Sequence, residues 1–263
     1  MNKILVFIFL FTSLLAYPQQ YRTVQNTAFV RGEKLTFRIA FNSALTGSIT
    51  GGKATLEVKN ENKIFNNRST FHVVGQGWTT GIIELFYKID DKVESYFDDR
   101  AFISWQFIRR TRENSYKKDD LVIFRQNDRL AVSLSKVVKV PANIQDVVSA
   151  FYYARTINIA DLKPGSIIEI PFFLDDSVYI SKVKFEGIEN IKTSIGTFRC
   201  LKIAPMMATG EIFSDAYPLK VWVTDDKNHV PILVETKVIV GSIKMELIEY
   251  KHLRNPFEAK LPD

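Results

Sequence analysis

The chain contains one cysteine and three histidines among 263 residues, and both shortages exclude classes of site. With Cys200 alone, neither an internal disulfide nor a multi-cysteine zinc or iron–sulfur site can form. His72, His229 and His252 lie far apart, and none belongs to a His-x-x-x-His or His-Glu pair of the kind that binds catalytic zinc. The sequence therefore predicts no metal site and no cofactor.

Motifs of the common enzyme classes are also missing. There is no Gly-x-Ser-x-Gly elbow and no phosphate-binding Gly-x-x-x-x-Gly-Lys loop. Cys200 lies in the apolar alternating run 198–203, where a buried, unreactive thiol is the expectation. No residue is nominated as catalytic, and the sequence favours a protein that is not an enzyme.

No apolar run reaches the roughly 20 residues that a membrane-spanning helix requires. Met1-Asn2-Lys3 is followed by the uncharged run Ile4 to Ala16 and then by Tyr17-Pro18, an order typical of a secretory signal peptide over residues 1–19. Without a cysteine near the cut, no lipid anchor can form on a new N-terminal Cys. We therefore expect a soluble exported protein, periplasmic or extracellular, with no span left after cleavage.

The remaining composition is that of a folded chain, with 46% hydrophobic residues and a net charge of +6. This mild positive charge permits attraction to an anionic envelope polymer or to lipid headgroups. Nucleic acid is excluded as a partner, because the protein is expected outside the cytoplasm and has neither an Arg/Lys-rich recognition helix nor an RNA-binding aromatic motif.

Alternation of apolar and polar residues dominates the chain from residue 29 onward. It is clearest at 35–41 and 243–247, and similar runs occur at 53–59, 69–75, 87–90, 92–97, 101–110, 120–125, 129–134, 167–174, 178–186, 197–204, 218–224 and 231–239. Period two indicates half-buried strands. Their close spacing predicts one mostly β domain over 29–252, with antiparallel strands in a curled sheet, half-barrel or barrel-like sandwich. Residues 20–28 are interpreted as an N-terminal extension and 253–263 as a C-terminal tail.

Five Asp-Asp pairs accompany these runs. They begin at Asp90, Asp98, Asp119, Asp175 and Asp225. Aspartate stabilises turns by accepting hydrogen bonds from nearby backbone N–H groups, so the pairs are interpreted as turns between strands. A calcium loop would need Asp-x-Asp-x-Asp-Gly spacing, which is absent.

One segment breaks the β pattern and predicts a short amphipathic helix over about residues 143–155. Its apolar residues Ile144, Val147, Val148 and Phe151 follow helical spacing, with Asn143 as the expected N-cap. The helix is expected to pack on the sheet. In the alternative interpretation it borders a ligand cavity. The candidate ligand-binding residues are Tyr152, Tyr153, Arg155, Trp78, Trp105 and Trp222.

The same helix carries a family resemblance. Gln145 to Arg155, Gln-Asp-Val-Val-Ser-Ala-Phe-Tyr-Tyr-Ala-Arg, resembles the central helix motif of the exported bacterial family called domain of unknown function 3108. Further pieces occur in the family's order at 32–37, 96–98, 196–200 and 222–231, so the resemblance covers about residues 29–250. It implies a mostly β envelope protein without an established biochemical role, and it supplies no catalytic residues.

A basic segment within the strand region is the second candidate surface. Its cations are Arg109, Arg110, Arg112, Lys117 and Lys118. It is interpreted either as a hairpin tip that contacts anionic lipid or polysaccharide, or as a solvated turn whose charges discourage edge pairing.

Three functions remain compatible with the sequence. The favoured one is a non-catalytic binding or carrier protein for an apolar or lipid-like envelope molecule. The second is a structural or assembly protein of the envelope that binds another envelope protein. The third is an enzyme acting on a cell-envelope polymer with carboxylates that the sequence does not pair.

Overall fold

The computed structural model describes residues 21–43, 47–159, 162–206, 217–238 and 241–262, so the expected signal peptide over 1–19 lies outside the described residues. Within these ranges the chain forms sixteen strands and two helices. The strands are β1 (Lys34–Ser43), β2 (Gly47–Val58), β3 (Ile64–Phe65), β4 (Arg68–Thr79), β5 (Asp90–Asp98), β6 (Ser104–Glu113), β7 (Tyr116–Arg125), β8 (Leu130–Val132), β9 (Val137–Lys139), β10 (Gln145–Asp146), β11 (Ile167–Leu174), β12 (Ser177–Thr193), β13 (Gly196–Pro205), β14 (Leu219–Thr224), β15 (Pro231–Val238) and β16 (Gly241–Lys251). The helices are α1 (Ile82–Phe86) and α2 (Val147–Ala154).

The sheet consists of two meanders, which are joined where the first strand of one pairs with the last strand of the other. The first runs from β1 to β9, the second from β10 to β16, and β16 pairs antiparallel with β1. The β10–β11 pair is parallel, and the other pairs between described strands are antiparallel. The small strands β9 and β10 are the two ends of the path, so the sheet does not close on itself. The prediction of a mostly β, antiparallel architecture is confirmed.

Two predictions about the strands and turns were wrong. The segment after β4 forms helix α1, where only strands and turns were expected. Asp119 and Asp120 lie inside β7, opposite Arg110 and Arg109 of β6, because ion pairs with Arg112 and Arg109 of β6 hold the two carboxylates within the ladder. That Asp pair is therefore not a turn.

Helix α2 is shorter than predicted and has a different N-cap. Asp146, not Asn143, caps it: the Asp146 carboxylate accepts from the N–H groups of Val148 and Ser149, and the Ser149 hydroxyl completes a capping box. Asn143 has a left-handed φ of 59°, which is incompatible with helix entry at the expected place. Ile144 is fully buried ahead of the helix instead of contributing to its apolar face.

Aromatic rings fill the space between α2 and the first meander. Phe29, Phe71, Phe97, Phe102 and Tyr152 are buried in one apolar cluster. The Phe29 centroid is 4.6 Å from that of Tyr152 and 5.0 Å from that of Phe71. Rings at these separations are in direct contact, so the region beneath the helix is a packed core.

The second meander packs on both faces, and residues from 253 onward contribute to one of them. Cys200 and Trp222 face one cluster, while Leu201 and Val223 face another. Residues from 253 onward cover the first cluster, with Phe257 5.0 Å from Phe198. The expected C-terminal tail therefore packs on the sheet, as residues 21–28 do on the first meander, where the Val24 N–H donates to Arg100 O at 2.7 Å.

The β5–β6 turn contains a buried carboxylate that makes stability pH-dependent. Asp98 contacts Arg68 and accepts from the N–H groups of Ala101 (2.8 Å) and Arg100 (3.0 Å). Burial opposes ionisation, but these bonds prevail and hold the pKa of Asp98 below its usual value. Because the folded pKa is depressed, its contribution is complete above the unfolded value of about 3.9 and is lost as pH falls through the folded one.

We therefore expect part of the acid-induced loss of stability to disappear in Asp98→Asn. Urea midpoints measured from pH 5 downward should fall less steeply for the variant than for the wild type. Asp128→Asn, which changes an exposed aspartate, is the control and should keep the wild-type slope. Equal slopes for all three proteins would contradict the assignment.

Candidate functional site

Two of the helix residues nominated from the sequence are committed to contacts within the protein. Arg155 is 3% exposed; its Nη1 donates to Glu33 Oε1 at 2.6 Å and its Nη2 to Glu33 Oε2 at 2.9 Å. The same guanidinium donates to Asn228 O from Nε at 3.2 Å. Tyr152 is fully buried, and burial raises the pKa of its hydroxyl. The partly buried Tyr153 lies under the guanidinium of Arg22, 4.2 Å from its centroid.

The three tryptophans lie in three separate places. Trp105 is 2% exposed and packs edge-on against Tyr21. Trp222 is 7% exposed, and its Nε1 donates to Glu189 at 2.9 Å. Trp78 is only partly buried and lines a surface groove. The six candidate ligand residues therefore do not converge on one cavity.

The strongest buried polar cluster surrounds the cap of α2 and is structural. The Asp146 carboxylate accepts from Ser95 Oγ at 2.6 Å and from Ser104 Oγ at 2.7 Å, in addition to the two helix N–H groups. Burial raises the pKa of this carboxyl. With the side chain fully enclosed, substrate cannot reach it, and its function is to join α2 to β5 and β6.

Cys200 and His72 are similarly enclosed. Burial, aided by Asp226 and Asp225, raises the pKa of the Cys200 thiol to about 12, which disfavours the reactive thiolate. His72 stacks on Tyr96 at 4.1 Å and contacts Glu61 and Glu94. Within the part of the chain that the structure describes, no three His, Cys, Asp or Glu side chains are grouped to hold a metal.

The basic segment forms the β6–β7 hairpin, but acids of the same hairpin and of more distant segments compensate most of its charge. Arg109 pairs with Asp120 and Asp175, Arg110 with Glu94, Arg112 with Asp119, and Lys118 with Asp120. Lys117 is exposed near the turn. The five cations of the segment, counted alone, therefore overstate the positive potential of this surface.

Helix α1 presents the most exposed apolar group of the described chain. The α1 tip, defined as Ile82, Leu85, Phe86 and Tyr87, has exposed fractions of 59%, 82%, 79% and 44%. None of the helix residues is buried, and Gly81 enters it with a left-handed φ of 64°. Clustered apolar exposure of this kind is typical of an interaction site.

The α1 tip is held in place by the β6–β7 hairpin. The Tyr87 hydroxyl donates to Glu113 at 3.0 Å, and Lys88 and Asn114 exchange two hydrogen bonds, both of 2.8 Å. Ile89 forms an additional bridge with Glu113. The segment that carries the exposed side chains is therefore anchored to the β6–β7 hairpin.

A groove of about 440 Å³ adjoins the α1 tip. It is lined by Gln76, Trp78, Thr79, Thr80, Glu84, Lys88, Ile89 and Asp90. We call it the Trp78 groove. Its lining combines an indole with an ammonium and two carboxylates, so it offers an apolar wall beside charges of both signs.

Sequence reasoning missed the α1 tip. The available signal was the run Ile82-Ile83-Glu84-Leu85-Phe86-Tyr87, which is almost entirely apolar where a connection between strands should be polar.

The match to a protein family covers nearly all of this architecture. The family model described as "Protein of unknown function (DUF3108)" matches residues 36–248. The chain belongs to the DUF3108 family. The matched region of this DUF3108 protein includes the α1 tip, the Trp78 groove and α2.

A solved structure from Brucella abortus shares the fold of this DUF3108 protein at low sequence identity. The beta-barrel-like protein of domain of unknown function DUF1849 from Brucella abortus is 10% identical, with a TM-score of 0.57, covering 89% of this chain and 99% of that one. A structure from Parabacteroides distasonis, described as that of a putative lipoprotein, is 12% identical with a TM-score of 0.31, covering 88% and 100%. Comparison with curated proteins finds none that matches.

Neither described helix of the DUF3108 protein resembles a membrane span. Across the ranges given above, no helix combines the length and the apolar character needed to cross a bilayer.

Proposed function

We propose that this DUF3108 protein is exported and binds lipid-like molecules of the cell envelope through the α1 tip, without catalysing a reaction. The observation that carries the proposal is the exposure of Ile82, Leu85 and Phe86, each more than half accessible on one braced helix. Transfer of each such side chain out of water is worth about 1.5–3 kcal/mol. Together they supply enough free energy for reversible binding.

The size of the α1 tip favours lipid over a protein partner. A stable protein interface buries about 800 Å² on each side, contributed by about 20–30 residues. The α1 tip has four apolar side chains, too few for such an interface. Acyl chains are fluid and require no shape complementarity, so a small protruding tip can insert among them. Tyr87, with its hydroxyl bonded to Glu113, has the amphipathic character of residues at a membrane–water boundary.

The Trp78 groove supplies the polar half of the proposed site. Lys88 offers an ammonium to a phosphate, while Glu84 and Asp90 offer carboxylates to a cationic headgroup. Positive and negative side chains thus lie beside the α1 tip, an arrangement that suits a zwitterionic lipid headgroup. Of the candidate residues nominated from the sequence, Trp78 belongs to this proposal, as the apolar wall of the groove.

The absence of catalysis in the proposal is supported by the environment of the reactive residue types. Cys200 is fully buried with a raised thiol pKa, and the Asp146 carboxyl is enclosed by its own hydrogen bonds. Neither borders the Trp78 groove.

Flotation with vesicles of zwitterionic phospholipid tests the proposal. The wild type should float with the vesicles, and Leu85→Ser/Phe86→Ser should bind at least about tenfold more weakly, because each tenfold corresponds to about 1.4 kcal/mol. Leu134→Ser changes a 73% exposed leucine in the β8–β9 connection and is the matched control. An unbound wild type, or equal losses for the control, would overturn the proposal.

A further inference from the structure

The Trp78 groove brings an indole and a carboxylate together on adjacent strands. Trp78 of β4 lies directly opposite Asp90 of β5 in their antiparallel pair, so the two side chains project from the same face of the sheet. Gln76 Nε2 donates to Asp90 Oδ1 at 2.8 Å, which orients the carboxylate. Glu84 of α1 lines the same groove and supplies a second carboxylate.

Lys88 and Asp90 present opposite charges at a short, defined spacing. The residue between them, Ile89, accepts from the Thr79 N–H through its carbonyl at 3.1 Å. The Lys88 carbonyl accepts from the Asn114 N–H, on the opposite side of the segment, at 2.8 Å. Backbone groups that alternate in this way indicate an extended segment, in which residues two apart share a face. The exposed Lys88 and Asp90 therefore project from one face, with their Cα atoms about 7 Å apart.

We propose that the Trp78 groove selects lipids whose headgroup joins a phosphate to a primary ammonium, as in phosphatidylethanolamine. This inference rests on the proposed lipid binding and names the headgroup that the site prefers. The Lys88 ammonium pairs with the lipid phosphate, and the Asp90 and Glu84 carboxylates accept from the lipid ammonium. The two-carbon bridge between the lipid charges lies against the Trp78 ring, beside the acyl chains that the α1 tip contacts.

The polar lining favours a primary over a quaternary ammonium. A primary ammonium donates up to three hydrogen bonds, whereas a quaternary one has no N–H to donate. The groove offers the carboxylates of Glu84 and Asp90 and the Thr80 hydroxyl as acceptors. Quaternary ammonium groups are recognised by cages of several aromatic rings, and Trp78 is the one aromatic residue among the described residues of the lining. Methylation of the lipid nitrogen therefore removes donors without gaining rings to contact.

The charges of the groove disfavour a headgroup that is only negative. Its lining contains two carboxylates, Glu84 and Asp90, and one ammonium, Lys88. A phosphodiester without an attached cation, as in phosphatidylglycerol, brings a further negative charge beside the two carboxylates, and like charges repel. The ammonium of the preferred headgroup offsets that repulsion.

Flotation with vesicles that differ in one headgroup tests the inference. The vesicles contain phosphatidylcholine mixed with an equal part of phosphatidylethanolamine, of its N-methyl or N,N-dimethyl derivative, or of phosphatidylglycerol, all with the same acyl chains. The wild type should bind the phosphatidylethanolamine vesicles at least about tenfold more tightly than pure phosphatidylcholine, because hydrogen bonds between charged groups are the stronger ones. Affinity should fall with each added methyl group, and phosphatidylglycerol should give no gain over phosphatidylcholine.

The double variant Glu84→Gln/Asp90→Asn should lose this preference. Asp128→Asn/Glu258→Gln changes the charge equally at two exposed positions outside the groove and should keep it. Ethanolamine lipids also alter bilayer packing, so a preference that persists in Glu84→Gln/Asp90→Asn would belong to the bilayer and overturn the inference. A wild type that floats equally with all the vesicles would overturn the inference and leave the proposed function standing. A wild type that floats with none would overturn both.

Discussion

Replacing Arg155 with methionine is expected to lower the free energy of unfolding by about 3–5 kcal/mol. Arg155 and Glu33 form a bidentate pair whose side chains are 2% and 0% exposed. Removing the guanidinium leaves the Glu33 carboxylate buried without a counter-charge. The Asn228 carbonyl, which accepts from Arg155 Nε and Nη2, loses two donors as well. The effect should extend beyond α2, because the pair joins the helix end to the start of β1 and to the β14–β15 turn.

Urea unfolding of three variants distinguishes the cost of leaving a buried charge unpaired from the cost of losing an ion pair. Glu33→Gln/Arg155→Met should recover most of the loss seen in Arg155→Met, since a buried neutral amide costs far less than a buried unpaired charge. Arg38→Met breaks a partly exposed pair with Glu246 and should cost no more than about 1 kcal/mol. If Arg155→Met costs as little as Arg38→Met, the buried pair is not an important source of stability.

Asp146→Ala is expected to cost about 2–4 kcal/mol, from loss of the helix cap and from buried donors left without an acceptor. The donors are the N–H groups of Val148 and Ser149 and the hydroxyls of Ser95 and Ser104. Asp146→Asn keeps one oxygen and should cost roughly half as much. The expected consequence is a loosened α2, because the same carboxylate joins it to the sheet.

Hydrogen exchange and urea unfolding together check this expectation. Amides of α2 should exchange faster in Asp146→Ala than in the wild type, whereas Asp128→Ala, at an exposed turn, should match the wild type in both measurements. A variant with wild-type stability and unchanged α2 protection would contradict the assigned function of the cap.

Strand positions were the best predicted feature, because a strand with one buried face imposes period two directly on the sequence. The run 167–174 coincides with β11, and 231–239 differs from β15 by one residue. Helix α1 was missed because five residues are too few to display a helical period, and none of them is buried. The N-cap of α2 was predicted at the wrong residue because Ile144 packs in the core ahead of the helix. Apolar spacing alone cannot distinguish an apolar residue on the helix from one in the segment before it.

Site residues were harder to predict because residue type does not determine exposure. Trp105 and Tyr152 have chemistry suited to a ligand site, yet Tyr21 and Phe29, more than 80 positions away, pack against their rings. Likewise Asp175 neutralises Arg109 from 66 residues away. No local window contains these partners. The α1 tip, whose apolar excess is local, was the part of the proposed site that the sequence could have revealed.

The junction of the two meanders also determines when folding can finish. Arg38 of β1 lies opposite Glu246 of β16, 208 residues later in the chain. During synthesis β1 therefore has only β2 beside it until β16 has emerged. Contacts between such distant residues form slowly, because the entropy of closing the loop must be lost first. Completion of the sheet is thus a late event, and an unfinished chain exposes β1 to competing partners.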